Sequence, residues 1–173
     1  TVSGEPLSGE PAIIVANHAS ALDIILLEAL VGAYPHVWLS RVFKVPVLGF
    51  LLSRMHVMVN AEAPREAAQS LVRLTRLVRG KERHAIIFPE GARFDDGQIH
   101  PFFAGFALLA EKIDRPVRLV YIKNAHKVLA RGSFLINTTS PITVLVGPLW
   151  RRSADETPEM FIARVRAWFV QHV

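Results

Sequence analysis

The sequence predicts one α/β domain: a central, mostly parallel or mixed β-sheet flanked by helices. Three observations predict it. Short apolar runs of strand length alternate with segments bearing helix start and stop residues. The length, 173 residues, suits a single domain with a full core. A hydrophobic content of 51% supplies that core and excludes a disordered chain.

Residues 1–11 are turn-rich, with Gly4, Pro6, Gly9 and Pro11. Ala12–Ala16 is apolar throughout and reads as a buried strand. Asn17 and His18 end it. Ser20, with Asp23 three residues on, then opens a helix over Ala21–Val31 that Gly32 closes. Val37–Leu39 is a short strand. The next segment joins Arg41 and Lys44 to the apolar run Val45–Leu52, as a buried helix or a surface dipping into lipid. His56–Val59 is a strand, and Pro64 starts a helix that Gly80 ends, with Ala67, Leu71, Leu74 and Val78 as its apolar stripe. Ala85–Phe88 is a further strand, Asp95-Asp96-Gly97 a turn, Phe103–Lys112 a helix and Val117–Ile122 a strand. Leu135–Ile136 and Ile142–Val146 read as late strands around a turn at Thr138–Pro141. Thr157-Pro158-Glu159 combines an N-cap with a proline at the first helical position. Phe161, Val165, Trp168 and Phe169 give that last helix its apolar face.

Composition narrows the function classes. A net charge of +5 favours an anionic partner: nucleic acid, anionic lipid headgroups or a phosphorylated substrate. The basic run Arg65, Arg73, Arg76, Arg79, Lys81 and Arg83 is a solvated face or a membrane-facing one, where each cation contributes about 1 kcal/mol. It lacks interleaved aromatics for base stacking, so nucleic acid is disfavoured. With no cysteine there is no disulfide, thiol nucleophile or thiolate metal site. The seven histidines show no HExxH spacing, so no metal site is expected. Nucleophile-elbow and phosphate-loop patterns are absent too. No apolar run reaches the roughly 18 residues of a membrane span. The chain starts without methionine and with no signal-peptide pattern, which reads as a segment of a longer protein.

Two strand-end loops concentrate polar residues, Asn17–Asp23 and Pro89–Arg93. In open α/β sheets ligands gather at the C-terminal ends of strands. Parallel, neighbouring strands would put His18, Asp23, Glu90, Gly91 and Arg93 in one cleft. There His18 acts as a general base oriented by Asp23, Gly91 admits a ligand close to the backbone, and Arg93 grips a phosphate. The plainer alternatives are a structural His18, an Asp23 that only caps its own helix, and a Glu90 paired with Arg93.

Taken together these residues resemble the glycerolipid acyltransferase family, whose type member acylates lysophosphatidic acid. Asn17 to Asp23 matches its NHxSxxD signature, which contains the HxxxxD catalytic motif, and Phe88 to Arg93 matches its FPEGTR block with Ala92 in place of Thr. Arg41 to Gly49 resembles the block between them. The resemblance covers about Ala12 to Val146 and implies a glycerol-3-phosphate acyltransferase-like fold. It also implies that His18 deprotonates an acceptor hydroxyl, which attacks an acyl thioester of coenzyme A or acyl carrier protein. No resident cofactor or covalent intermediate is implied. By the same resemblance Asp23 orients His18, and Asn17, Ser20, Arg41, Lys44, Glu90, Gly91 and Arg93 serve substrate binding. Three positions depart from the family pattern: Ala61, the Phe102-Phe103 pair and Leu119. The first two remove cations that help hold a phosphate.

The expected protein is a membrane-associated O-acyltransferase acting on a lysophospholipid, with 1-acyl-sn-glycerol-3-phosphate favoured. A lyso-ornithine lipid is the runner-up acceptor, and a lipid-binding module without chemistry the alternative from another class. The resemblance places it on the cytoplasmic face of the inner membrane, against an anionic surface and with a leading membrane-associating segment missing.

Overall fold

The computed structural model describes residues 1–7, 10–31, 36–40, 56–58, 64–130, 132–133 and 135–173. Arg41, Lys44, the apolar run 45–52 and Ala61 lie outside the described residues. Among the described residues seven strands form one sheet: β1 (Val2–Gly4), β2 (Ile13–Ala16), β3 (His36–Ser40), β4 (His56–Met58), β5 (His84–Ile87), β6 (Val117–Lys123) and β7 (Thr143–Trp150). Their spatial order is β1-β7-β6-β2-β5-β3-β4. Among the described strands only the β6–β7 pairing is antiparallel, so the sheet is mixed and largely parallel. The helices among the described residues are α1 (Leu22–Val31), α2 (Pro64–Val78), α3 (Gly105–Ile113), α4 (Ala125–Val128) and α5 (Pro158–Val170).

β2 sits in the middle, pairing Ile13 with Ala85 of β5 on one side and with Val117 of β6 on the other. All four of its residues are buried, which is why the run carries no polar residue. The pleat sends alternate residues to opposite faces. Ile13 and Val15 join Ala85, Ile87, Val117 and Leu119 in one core with Leu74 and Val78 of α2, Phe106 of α3 and Phe161 of α5. Ile14 and Ala16 join Ile86, Val120 and Ile122 in the second core, under Leu27 and Val31 of α1. Because β2, β5 and β6 are parallel, their C-terminal ends emerge at one edge, with the loops after β2 and β5 side by side.

α5 begins as the Thr157-Pro158 pair dictates. The Thr157 side chain accepts the Met160 backbone N–H, and proline occupies the first turn. Its buried face is Phe161, Val165 and Phe169. Trp168 lies over Gly147 of β7, where a Cβ would sit 2.3 Å from the indole ring. Gly147→Ala is therefore expected to cost about 1–3 kcal/mol through overpacking, read as a lower midpoint in urea unfolding.

Two readings of the chain differ from the structure. Leu135–Ile136 is not a strand: the pair is 84% and 64% exposed and has no ladder partner among the described residues. Two apolar residues among turn formers carry too little period to separate a strand from an exposed loop. β1 has no strand signal because it is three exposed residues, held at the sheet edge by parallel pairing with Val144–Val146.

Candidate active site

The site grows from the end of β2. Asn17 continues the ladder with its side chain: Nδ2 donates to the Ile122 carbonyl (2.9 Å), and Oδ1 accepts the Ile122 N–H (2.7 Å). That satisfies β6 while the main chain turns away. His18 is then held at both backbone groups by the loop after β5. Its N–H donates to Glu90 Oε1 (2.9 Å), and its carbonyl accepts the Phe94 N–H (3.0 Å). The imidazole stacks on Phe88, centroids 3.9 Å apart and planes 10° off parallel.

Asp23 is fully buried. Its Oδ2 lies 2.9 Å from His18 Nδ1 and accepts the N–H groups of Ala19 and Ser20, each at 2.7 Å. A carboxylate can only accept, so in the neutral imidazole it is Nδ1 that carries the proton and Nε2 the lone pair. The bond from Ser20 N–H to Asp23 is half of a capping box at the start of α1. Asp23 thus both caps its helix and orients the histidine. Ser20 is buried as well, donating through Oγ to the Leu129 carbonyl (2.8 Å) and accepting the Leu22 N–H (3.3 Å).

Glu90 joins the two loops. Oε1 takes the His18 N–H, and Oε2 takes the His100 N–H at 3.0 Å. Burial pushes its carboxyl above the ordinary glutamate value near 4.5, against the pull of those two amides. The neutral form is thus favoured by folding. That contribution to stability is full below pH 4.5 and is lost as pH rises through the raised value. In Glu90→Gln, melting temperatures between about pH 4 and pH 7 should lack this downward step, since the amide does not titrate.

Gly91 turns the chain at φ +68°, donating its N–H to the Phe88 carbonyl (3.2 Å). Arg93 follows, partly exposed. A cavity of about 220 Å³ opens at the ends of β6, β2 and β5 and reaches His18, Asn17 and Glu90. Gly91 and Arg93 do not line it; Lys123, His126 and Lys127 do. The structure thus links His18, Ser20, Asp23 and Glu90 by hydrogen bonds, anchors the adjoining Asn17 to β6, and sets Gly91 and Arg93 outside the cavity.

Sequence reasoning missed His100. Its N–H completes the Glu90 clamp, its ring stacks on Phe94 at 3.6 Å, and its Nε2 meets Asp96 Oδ2 at 2.9 Å. Arg166 of α5 donates to the carbonyls of Ile99 and His100, tying the loop to the last helix. The i, i+4 Asp-His pair was the available signal. It sits in a loop, where helix spacing carries no weight.

This His–Asp pair at a parallel strand's end, clamped from the neighbouring loop, defines the class. A family model described as Acyltransferase matches residues 1–123, and the chain belongs to that family. A chloroplastic 1-acyl-sn-glycerol-3-phosphate acyltransferase of Brassica napus is 32% identical over 152 residues, 87% of this chain and 44% of the relative. A 1-acyl-sn-glycerol-3-phosphate acyltransferase of Limnanthes alba is 31% identical over 83% of this chain and 51% of its own length. The chain spans about half the length of these curated relatives. The crystal structure of the 1-acyl-sn-glycerophosphate acyltransferase PlsC from Thermotoga maritima shares the fold, with a TM-score of 0.75. It is 22% identical, and the match covers 99% of this chain and 69% of that one.

Proposed function

We propose that this chain carries the acyl-transfer centre of a lysophospholipid O-acyltransferase, with 1-acyl-sn-glycerol-3-phosphate as favoured acceptor. The observation that carries the reading is the Nδ1 bond of His18 to a buried Asp23, which leaves Nε2 as the base at a cavity wall. Family membership and the activity named for the relatives support it.

In this reading Nε2 takes the proton of the acceptor hydroxyl as its oxygen attacks the thioester carbonyl. The C–S bond breaks, and the departing thiolate recovers the proton from the imidazolium. Asp23 stabilises that imidazolium. The acyl group passes directly between substrates, with coenzyme A or acyl carrier protein as donor. Asn17, Ser20 and Glu90 spend their side chains on backbone groups, so their part is to hold His18 in place. Gly91 and Arg93 remain candidates for acceptor contact, with Arg41 and Lys44.

A membrane surface is the proposed setting. Among the described residues no helix is long and apolar enough to cross a membrane. Exposed Leu135 and Ile136 offer an apolar edge in the loop whose Asn137 N–H bonds to the Val128 carbonyl, beside the cavity residue Lys127.

The test is thioester consumption by purified chain, with acyl-CoA or acyl carrier protein donors and lysophosphatidate or a lyso-ornithine lipid as acceptor. Turnover that depends on acceptor and on His18 supports the reading. Binding to anionic vesicles unaffected by His18→Ala, with no thioester consumed, would replace it with a lipid-binding module.

A further inference from the structure

The main-chain bonds that hold His18 end in the loop between β5 and α3, and that loop is itself held from the last helix. His18 donates its N–H to Glu90 Oε1 (2.9 Å), and its carbonyl accepts the Phe94 N–H (3.0 Å). Glu90 Oε2 takes the His100 N–H (3.0 Å), and the His100 ring stacks on Phe94 with centroids 3.6 Å apart. Asp96 braces the loop from within: Oδ1 accepts the Gln98 N–H, and Oδ2 lies 2.9 Å from His100 Nε2. Both grips on His18 therefore lead to His100.

Arg166 grips His100 from the other side. Its Nε donates to the His100 carbonyl (3.2 Å) and its Nη2 to the Ile99 carbonyl (2.8 Å). A guanidinium presents its donors in a rigid planar fork, so one side chain can hold two successive carbonyls. The fork has a firm base. Val165 and Phe169, to either side of Arg166 in α5, are fully buried. Phe169 meets Phe102 of the same loop edge-on at 5.4 Å and Tyr121 of β6 at 6.4 Å. The family match covers residues 1–123, so this support comes from the chain beyond it.

We infer that Arg166 is a positioning residue for acyl transfer: from α5 it fixes the loop after β5, and that loop, through Glu90 and Phe94, fixes His18. The catalytic part rests on the acyl-transfer reading, the mechanical part on the hydrogen bonds alone. Nε2 has to meet the acceptor hydroxyl at hydrogen-bond distance, and a misplacement of about 1 Å can cost 10²-fold in rate. Arg166 does not line the cavity, so its effect on the base is carried by the loop.

Arg166→Ala and Arg166→Lys, made in the full chain, test the link with two readouts. The first is amide hydrogen exchange resolved by NMR, which needs no turnover. In Arg166→Ala the amides of His18, Phe94 and His100 should exchange roughly tenfold faster, while those of Val15 and Val120 in the sheet stay parental. The second is steady-state thioester consumption. There kcat should fall roughly 10- to 100-fold, and Arg166→Lys, which can hold one carbonyl, should recover part of it. A role confined to stability would lower the melting temperature and leave kcat parental wherever the variant is folded. Parental exchange at the three amides overturns the inference, as does faster exchange with parental kcat. If Arg166→Ala gives no cooperative melt, Arg166→Lys carries both readouts, with smaller changes of the same sign. A parent chain that consumes no thioester discards the acyl-transfer reading. Exchange then decides the mechanical link alone: faster exchange keeps it, and parental exchange removes it.

Discussion

His18→Ala should lower thioester-dependent acyl transfer by about 10²–10⁴-fold, the range a positioned general base contributes. Among the described residues no thiol or carboxylate beside His18 is free to substitute. The chain has no cysteine, and Asp23 is buried behind the imidazole with Oδ2 already taken by two amides. Glu90 is occupied at both oxygens. The fold should survive, because the backbone bonds at residue 18, to Glu90 and Phe94, do not involve the imidazole. What is lost is the stack on Phe88, worth about 0.5–1.5 kcal/mol, and one bond to Asp23. Initial rates and thermal melts on the same preparation separate the two effects. A cooperative melt near the parental temperature with parental turnover would remove His18 as the base.

The parts of this architecture that sequence conveys are those written in local chemistry. Ile13–Ala16 is a strand buried on both faces, and its uninterrupted apolar run says so. Thr157-Pro158 starts a helix for reasons confined to four residues. Ser20 and Asp23 could be read as a helix start from their spacing, and the structure shows the matching backbone bond. What spacing could not convey is that one Asp23 oxygen also holds His18, since that depends on the turn between them. Glu90 shows the same limit more sharply. Its pairing with Arg93 was a reasonable local guess, yet its bonds run to residue 18, 72 positions away, and to His100. Such contacts follow from strand order, and strand order is a property of the whole sheet. That Lys123, His126 and Lys127 line the cavity was hidden for a related reason. Two lysines and a histidine after a strand look like any solvated turn until β6 is placed next to β2.

The two roles of Asp23 can be separated by comparing Asp23→Asn with Asp23→Ala. Asparagine keeps a carbonyl oxygen for the Ala19 and Ser20 amides but removes the charge that favours an imidazolium at His18. That charge faces the positive imidazole that forms as the proton is taken, so its loss should slow acyl transfer about 10- to 1,000-fold. The new amide nitrogen would fall where Oδ1 lies, an atom with no hydrogen-bond partner among the described residues. A buried, unpaired NH₂ should then cost about 1–3 kcal/mol of stability. Alanine removes the charge and the acceptor together, stranding two buried amides and half of the capping box. It should therefore be the less stable of the two, with activity no higher. Rates and urea midpoints for both variants resolve the matter. Parental turnover in Asp23→Asn would mean that Asp23 only caps α1, and that His18 is oriented by its backbone clamp and by Phe88 alone. Slow turnover in a well-folded asparagine variant would show that the carboxylate acts through the imidazole, as a 2.9 Å bond from a fully buried oxygen requires.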